Sequence, residues 1–187
     1  MSKKILIALS ALAVLALPAV AMNGVESGLD VGDMVTPFNP THLSGPDKGT
    51  TNCPPCTYGD RPAVQIWLSP SESAETVEAF AKTISKAVKK YKKSEFKGFL
   101  INLTYCGDCE DKAKKTVKNF KYDNIAFATL ASNDGAVKRY KVNTSKEVTN
   151  TIFVYKDKKV VAKFVNLKPD KYGLKKLNAA IEKATAL

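Results

Sequence analysis

The stretch AVQIWLSPSESAETVEAFAKTISKAVKKY, residues 63–91, decides the fold class. Its first six residues form an apolar run of strand length. Residues 69–72 then offer an N-cap serine, a proline at the first helical position and a glutamate at the third, which is the capping-box pattern. Apolar residues recur at steps of three and four and predict one buried helix face: Val77, Phe80, Ile84, Val88 and Tyr91. The stretch therefore predicts a strand followed directly by an amphipathic helix.

The same alternation continues towards the C-terminus. Further strands are predicted at 99–104, 125–131, 151–155 and 160–167, with helices around 113–120, at about 136–140 and from Pro169 onward. The turn between the last two strands is so short that they must be antiparallel neighbours. The order β-α-β-α-β-α-β-β-α predicts an α/β three-layer sandwich, with a central mixed sheet and helices on both faces.

The first residues have the pattern of a secretory signal. Lys3 and Lys4 precede an apolar run at 5–17, and small residues end at Ala21. The run is shorter than the roughly 20 residues that cross a bilayer, which favours cleavage after Ala21 over a membrane anchor. We therefore expect residues 1–21 to be removed and the protein to be exported, periplasmic or extracellular, where disulfides persist.

The rest of the chain fits one domain of ordinary size, with 187 residues in total, 44% of them hydrophobic, and a formal charge of +11. Residues 22–60 are rich in Gly, Pro, Thr, Ser and Asp. They predict an irregular lead-in, with room for one short hairpin, packed on a domain at 61–187. His42 is the only histidine and is expected in a loop. A serine-histidine-aspartate hydrolase of the usual kind and a multi-histidine metal site are therefore excluded.

The four cysteines form two C-x-x-C pairs. Cys106 and Cys109 lie between a predicted strand and a predicted helix, where the unpaired N–H groups and the dipole of the helix start stabilise a thiolate. Asp108, Glu110 and Asp111 oppose that effect, and neighbouring lysines offset part of the opposition. This context predicts that Cys106 and Cys109 are the catalytic dithiol; a structural disulfide is the alternative.

Cys53 and Cys56 precede their strand, inside the lead-in. Residues 57–62 are not expected to continue as a helix, so no dipole would lower a thiol pKa there. A local structural disulfide is expected, and a secondary redox pair that passes electrons to Cys106 and Cys109 is the alternative. A zinc ion shared by both pairs is disfavoured, because they flank opposite ends of parallel strands about 20 Å apart at roughly 3.3 Å per residue. Haem attachment would need a histidine after the second cysteine. No metal or cofactor is predicted.

The order of elements resembles that of the thioredoxin-like superfamily. Local residues resemble redoxins related to alkyl hydroperoxide reductase and thiol-specific antioxidant: residues 29–33 with Pro37-Phe38 and Gly45 resemble their opening, 127–142 a later helix, and 151–164 the final hairpin. The resemblance implies a thioredoxin-like fold and thiol chemistry.

The chain departs from that family at two positions. In redoxins the reactive cysteine follows the strand at 63–68, but residues 69–73 here contain no thiol. Since hydroxyls form no sulfenic acid, an ordinary peroxiredoxin is not expected. Thioredoxin-like enzymes usually carry a cis-proline beside the dithiol, in the substrate-docking loop. Thr149 and Asn150 occupy the matching loop, where a cis bond before Asn150 would cost about 2.5–4 kcal/mol.

An alternative register makes the strand at 99–104 the central thioredoxin strand. Residues 105–109 then resemble the thioredoxin active-site motif, and the 44 residues from Cys106 to Asn150 match the usual distance from the first cysteine to the cis-proline. In either register Cys106 and Cys109 follow the carboxyl end of a central parallel strand, which is the usual functional edge.

Two functions follow from these patterns. The first is thiol–disulfide exchange with protein thiols and disulfides, in which Cys106 attacks and Cys109 resolves the mixed disulfide. The second is a non-catalytic binding or structural module with two structural disulfides. Two helices also expose many lysines, either as a solvated surface or as one that attracts acidic proteins or an anionic envelope surface. Nucleic acid is not an expected partner, because arginines are few.

Overall fold

The computed structural model describes residues 24–105, 107–118 and 120–186, without the side chains of residues 107–110, 112 and 116. The predicted signal segment and its cleavage after Ala21 lie outside the described residues. Within the described part of the chain, no helix is both long enough and apolar enough to cross a membrane.

The described residues form one six-stranded sheet in the order β1-β4-β3-β2-β5-β6. The strands are β1 (Thr41–Ser44), β2 (Ala63–Leu68), β3 (Lys97–Thr104), β4 (Ala126–Ala131), β5 (Asn150–Lys156) and β6 (Lys159–Val165). The helices are α1 (Pro54–Tyr58), α2 (Ala74–Lys90), α3 (Gly107–Lys118), α4 (Gly135–Arg139) and α5 (Lys171–Ala186), with a 3₁₀ turn at Lys92–Ser94.

The pairing confirms the predicted mixed α/β sheet. β2 is parallel to β3, and β3 is parallel to β4. β5 is antiparallel to β2, and β6 is antiparallel to β5. The helical crossovers between parallel strands and the tight β5–β6 turn follow from the alternation that the sequence displays.

Two apolar cores lie on opposite faces of the sheet. One is covered by α2 and α5, and partly by α3; its largest fully buried side chains include Phe80, Ile84 and Leu100. The other is covered by α4 and by the lead-in, whose Phe38 packs against Trp67. Residues 24–60 thus supply part of the domain's own core.

The lead-in is more regular than expected. β1 pairs antiparallel with β4 at one edge of the sheet, and its His42 exchanges backbone hydrogen bonds with Gly49 and Thr50 in a hairpin-like loop. His42 is buried rather than in a loop, and its Nε2 lies 2.9 Å from the carbonyl oxygen of Asn52. His42 is in a strand because β1 pairs with β4, which lies more than 80 residues further along the chain. Such a distant pairing leaves no pattern in the residues around His42.

The start of α2 also differs from expectation. Ser73, not Ser69, is the N-cap, and its Oγ accepts a hydrogen bond of 3.1 Å from the N–H of Thr76. Residues 69–72 form a turn instead, in which the N–H of Glu72 donates to the carbonyl of Ser69. Serine is found at both residue 69 and residue 73, so either could cap the helix. Ser69 takes part in the turn, and Ser73 caps α2.

The N-cap assignment leads to a stability prediction. We expect Ser73→Ala to lower the free energy of unfolding by about 1 kcal/mol, because one N–H of the first helical turn loses its partner. Ser69→Ala, the matched control, should change it by less than about 0.5 kcal/mol. Urea denaturation of both variants checks this, and the opposite ranking would contradict the assignment.

Candidate functional site

The carboxyl edge of the sheet brings together the end of β2 and the start of β5. Leu68 pairs with Asn150, and the N–H of Ser69 donates to the carbonyl of Thr149 over 2.8 Å. The turn at 69–73 therefore lies beside Thr149 and Asn150. The strand next to β5 is β2, whereas β3 pairs with β2 and β4. The alternative register, which makes residues 99–104 the central thioredoxin strand and sets the dithiol beside Asn150, does not match this strand order.

Asn150 acts as a buried clamp at this edge. It is only 2% exposed. Its amide nitrogen donates to Glu72 Oε2 over 3.1 Å and to the carbonyl of Leu167 over 3.2 Å, while its amide oxygen accepts from the N–H of Leu167 over 3.0 Å. One side chain thus holds the turn after β2, the start of β5 and the chain after β6 together.

The neighbouring Thr149 has no free backbone polar group. Its N–H donates to Asn166 Oδ1 over 2.8 Å, and its carbonyl accepts from Ser69. Within the described residues, no peptide bond is cis. An extended substrate would need vacant backbone groups to pair with this loop. The role of Thr149 and Asn150 in docking stays a prediction, and the geometry gives them a clear structural role.

The predicted dithiol falls at the limit of the described residues. Cys106 lies outside them, as does the side chain of Cys109. The backbone on either side is described: β3 ends at Thr104, and α3 begins at Gly107. The strand and helix expected around the pair are therefore present, and the catalytic roles of Cys106 and Cys109 stay predictions.

Tyr105 joins this edge to the loop after α4. Half of its side chain is exposed, and its hydroxyl donates to the carbonyl of Thr144 over 2.7 Å. With Trp67, Ser69 and Leu103 it borders a depression of about 10 Å³, enough for about one water molecule. Among the residues that the structure describes, this edge forms no larger enclosed pocket than that depression.

A disulfide joins Cys53 and Cys56, with an S–S distance of 2.05 Å. A short helix, α1, contains this pair's second cysteine and extends to Tyr58, whereas residues 59–62 are not helical, as expected. Cys53 is the N-cap of α1, and its sulfur accepts from the N–H of Cys56 over 3.2 Å. Proline is favoured in the first helical turn. The helix is short because Gly59, at φ +62°, ends it.

The helices α1 and α3 lie at opposite edges of the sheet. α1 leads into the start of β2, whereas α3 follows the end of β3, and these strands are parallel. Six residues at roughly 3.3 Å each separate the two edges by about 20 Å.

Burial dominates the titration of the tyrosines inside the second core. It raises the pKa values of Tyr58, Tyr140 and Tyr155 above the usual tyrosine value. These phenols remain neutral at physiological pH and act as packing groups. Trp67 in β2 and Phe153 and Tyr155 in β5 are buried as well.

Sequence reasoning missed Glu72 and Asn166. Glu72 looks like a capping-box residue, but one of its carboxylate oxygens accepts from Asn150, 78 positions away. Asn166 adopts a left-handed backbone, with φ of 52°, and directs its side chain at Thr149. Asparagine tolerates the left-handed conformation, so its presence weakly indicates a turn at residue 166. The contacts of Asn166 with Thr149 and of Glu72 with Asn150 leave no signal in the local sequence.

Known structures share this architecture. A protein of Chlorobium tepidum assigned as thiol:disulfide interchange protein DsbE is 16% identical, with a TM-score of 0.64 over 84% of this chain and 99% of its own. An uncharacterized conserved protein of Geobacillus kaustophilus is 16% identical, with a TM-score of 0.62 over 92% and 88%. The thioredoxin domain of a Bacteroides vulgatus thiol-disulfide oxidoreductase is 13% identical, with a TM-score of 0.58 over 82% and 99%.

These similarities define the fold class. The chain has an α/β thioredoxin-like fold. No protein-family model and no curated protein matches its sequence.

Proposed function

We propose that the protein exchanges thiols and disulfides with protein substrates through Cys106 and Cys109. The observation that carries this proposal is the start of α3 at Gly107, three residues after the end of β3. The C-x-x-C motif therefore spans the beginning of a 12-residue helix at the carboxyl edge of a parallel strand. Free N–H groups and the helix dipole there stabilise a thiolate.

The reaction needs only the two sulfurs and the substrate. The Cys106 thiolate attacks one sulfur of a substrate disulfide, forms a mixed disulfide and expels the other substrate sulfur as a thiolate, which takes up a proton. The Cys109 thiolate then attacks Cys106, closes the Cys106–Cys109 disulfide and releases the second substrate thiol. Two electrons pass from the pair to the substrate, and the reverse sequence oxidises a substrate dithiol.

Two further observations support a protein substrate. Similar folds carry the names thiol:disulfide interchange protein and thiol-disulfide oxidoreductase. Among the described residues, the depression beside Tyr105 is too small for a drug-sized ligand, which agrees with a substrate bound at the surface. Because the N-terminus has the pattern of a secretory signal, we further propose that the exchange takes place after export, in a compartment where disulfides persist.

A second candidate is a non-catalytic module, and the hydrogen bonds at the end of β2 favour it. At the position of the redoxin cysteine the chain has serines and Glu72, and Asn150 ties this turn to β5. The Cys53–Cys56 disulfide is formed. On this reading the fold retains its scaffold, and both cysteine pairs are structural disulfides.

Insulin reduction with dithiothreitol separates the two candidates. We expect wild-type protein and Cys53→Ser/Cys56→Ser to accelerate it equally, and Cys106→Ser to fall to the uncatalysed rate because the attacking thiol is lost and Cys109 only resolves the mixed disulfide. Cys109→Ser should accumulate the mixed disulfide, visible by mass spectrometry. Background rates in wild type would reject exchange chemistry. Loss only in Cys53→Ser/Cys56→Ser would move the activity to the other pair.

A further inference from the structure

The solvent-facing side of α2 carries a row of lysines. Lys82, Lys86 and Lys89 are exposed. At about 100° per residue they fall within about 60° of the helix circumference, opposite the buried Phe80 and Ile84. We call these three side chains the lysine stripe. It faces directly away from the sheet and is therefore open to a partner.

Positive charge is unbalanced along this part of the chain. Residues 79–94 contain six lysines and no acidic residue. Glu75 and Glu78 lie on the same side of α2 as the stripe, one to two turns before Lys82, and Glu182 of α5 acts on Lys90. Among the described residues, the ion pairs lie elsewhere, as in Lys141 with Asp33 and Lys163 with Asp30.

Helix stability does not account for the stripe. Lys89 and Lys90 lie in the last turn of α2, where cations interact favourably with the helix dipole. Lys82 and Lys86 lie further from that end. Like charges four residues apart destabilise a helix by about 0.2–0.5 kcal/mol per pair. Glu78, four residues before Lys82, offsets this at Lys82, whereas Lys86 has a lysine four residues away on both sides, Lys82 and Lys90. An anionic partner would relieve this repulsion.

The chemistry of the stripe indicates the kind of partner. Protein interfaces have a core enriched in aromatic residues and depleted of lysine. The exposed large apolar side chains of the described residues are Val31, Met34, Tyr105 and Tyr172, and none belongs to α2. Lysines act as hydrated point charges, a property that suits a layer of anionic headgroups and requires no pocket.

We propose that the lysine stripe binds the surface of a bilayer containing anionic phospholipid, with α2 lying along it. Attraction of this type contributes most when several lysines reach the surface together, and it falls off within a Debye length. The proposal does not depend on thiol exchange, because the stripe contains no residue of either cysteine pair.

Vesicle sedimentation tests the proposal. Wild-type protein should bind vesicles of phosphatidylcholine with phosphatidylglycerol at low salt, bind phosphatidylcholine alone much more weakly, and dissociate from the mixed vesicles at about 0.5 M salt. Lys82→Gln/Lys86→Gln/Lys89→Gln should bind the mixed vesicles about a hundredfold more weakly. Glutamine keeps the helix propensity of lysine, and circular dichroism checks that the variant is folded.

The matched control is Lys138→Gln/Lys146→Gln/Lys168→Gln, which removes the same charge from exposed positions elsewhere. It should bind within a few-fold of wild type. Equal losses in both variants would overturn the assignment, because net charge alone would then explain binding. Retention by polyglutamate or duplex DNA without vesicle binding would overturn it in favour of an acidic protein or a nucleic acid.

Discussion

Asn150→Asp is expected to lower the free energy of unfolding at pH 7 by about 3 kcal/mol. The substitution hardly changes the shape of the side chain, but it replaces the amide nitrogen that donates to Glu72 and to the carbonyl of Leu167 with an oxygen. The new carboxylate would be buried 3.1 Å from another carboxylate oxygen. Leaving a buried charge without a compensating partner costs about 3–5 kcal/mol.

The loss should depend on pH. Burial and Glu72 raise the pKa of the new carboxyl in the folded state above its unfolded value of about 3.9. Below about pH 4 both states are protonated and the penalty from charge is absent. It grows as the pH rises towards the folded-state pKa and is constant above that value. Urea denaturation at pH 4 and pH 7 measures the difference.

Glu72→Gln combined with Asn150→Asp is the matched control. A glutamine amide can donate to the new carboxylate, so the double variant should recover part of the stability at pH 7. Equal losses at both pH values, with no recovery in the double variant, would mean that the clamp acts through shape alone.

Tyr140→Ala is expected to destabilise the fold by about 4 kcal/mol. The ring is fully buried, with its centroid 4.9 Å from that of Trp67 and 5.4 Å from that of Phe38. Its hydroxyl donates to the carbonyl of Thr36 over 2.7 Å and accepts from the Thr36 N–H over 3.0 Å. Removing a large aromatic side chain from a core costs about 3–5 kcal/mol.

Tyr140→Phe separates the ring from its hydroxyl. It keeps the packing and should cost only about 1–2 kcal/mol, because the Thr36 backbone groups lose their partner. Hydrogen exchange should accelerate for the amide of Thr36 in both variants, and more strongly in Tyr140→Ala. A loss below about 1.5 kcal/mol in Tyr140→Ala would show that the lead-in is not anchored through this ring.

Much of the fold could be predicted because its signals are local. The strand that became β2 has the predicted bounds, and Val77, Phe80 and Ile84 form the buried face of α2 at helical spacing. Hydrophobic periodicity depends on neighbours within a few residues, so a single chain displays it. The short turn before β6 fixed the antiparallel hairpin for the same reason.

The remainder depends on contacts between distant residues. Which serine caps α2 is decided by the turn that packs against Thr149, and β1 is a strand because β4 lies beside it. The Asn150–Glu72 contact spans 78 positions. Propensity assigns each of these residues more than one role, and only the assembled sheet selects among them.

The separation of the cysteine pairs across the sheet has a kinetic consequence. On the proposed placement of the dithiol at the start of α3, we expect that neither pair reaches the other within one molecule, because about 20 Å of packed sheet lies between the start of β2 and the end of β3. Any transfer of reducing equivalents between them requires two molecules to collide. Its rate would therefore scale with the square of the protein concentration, and in dilute solution the two couples would equilibrate with the surroundings independently.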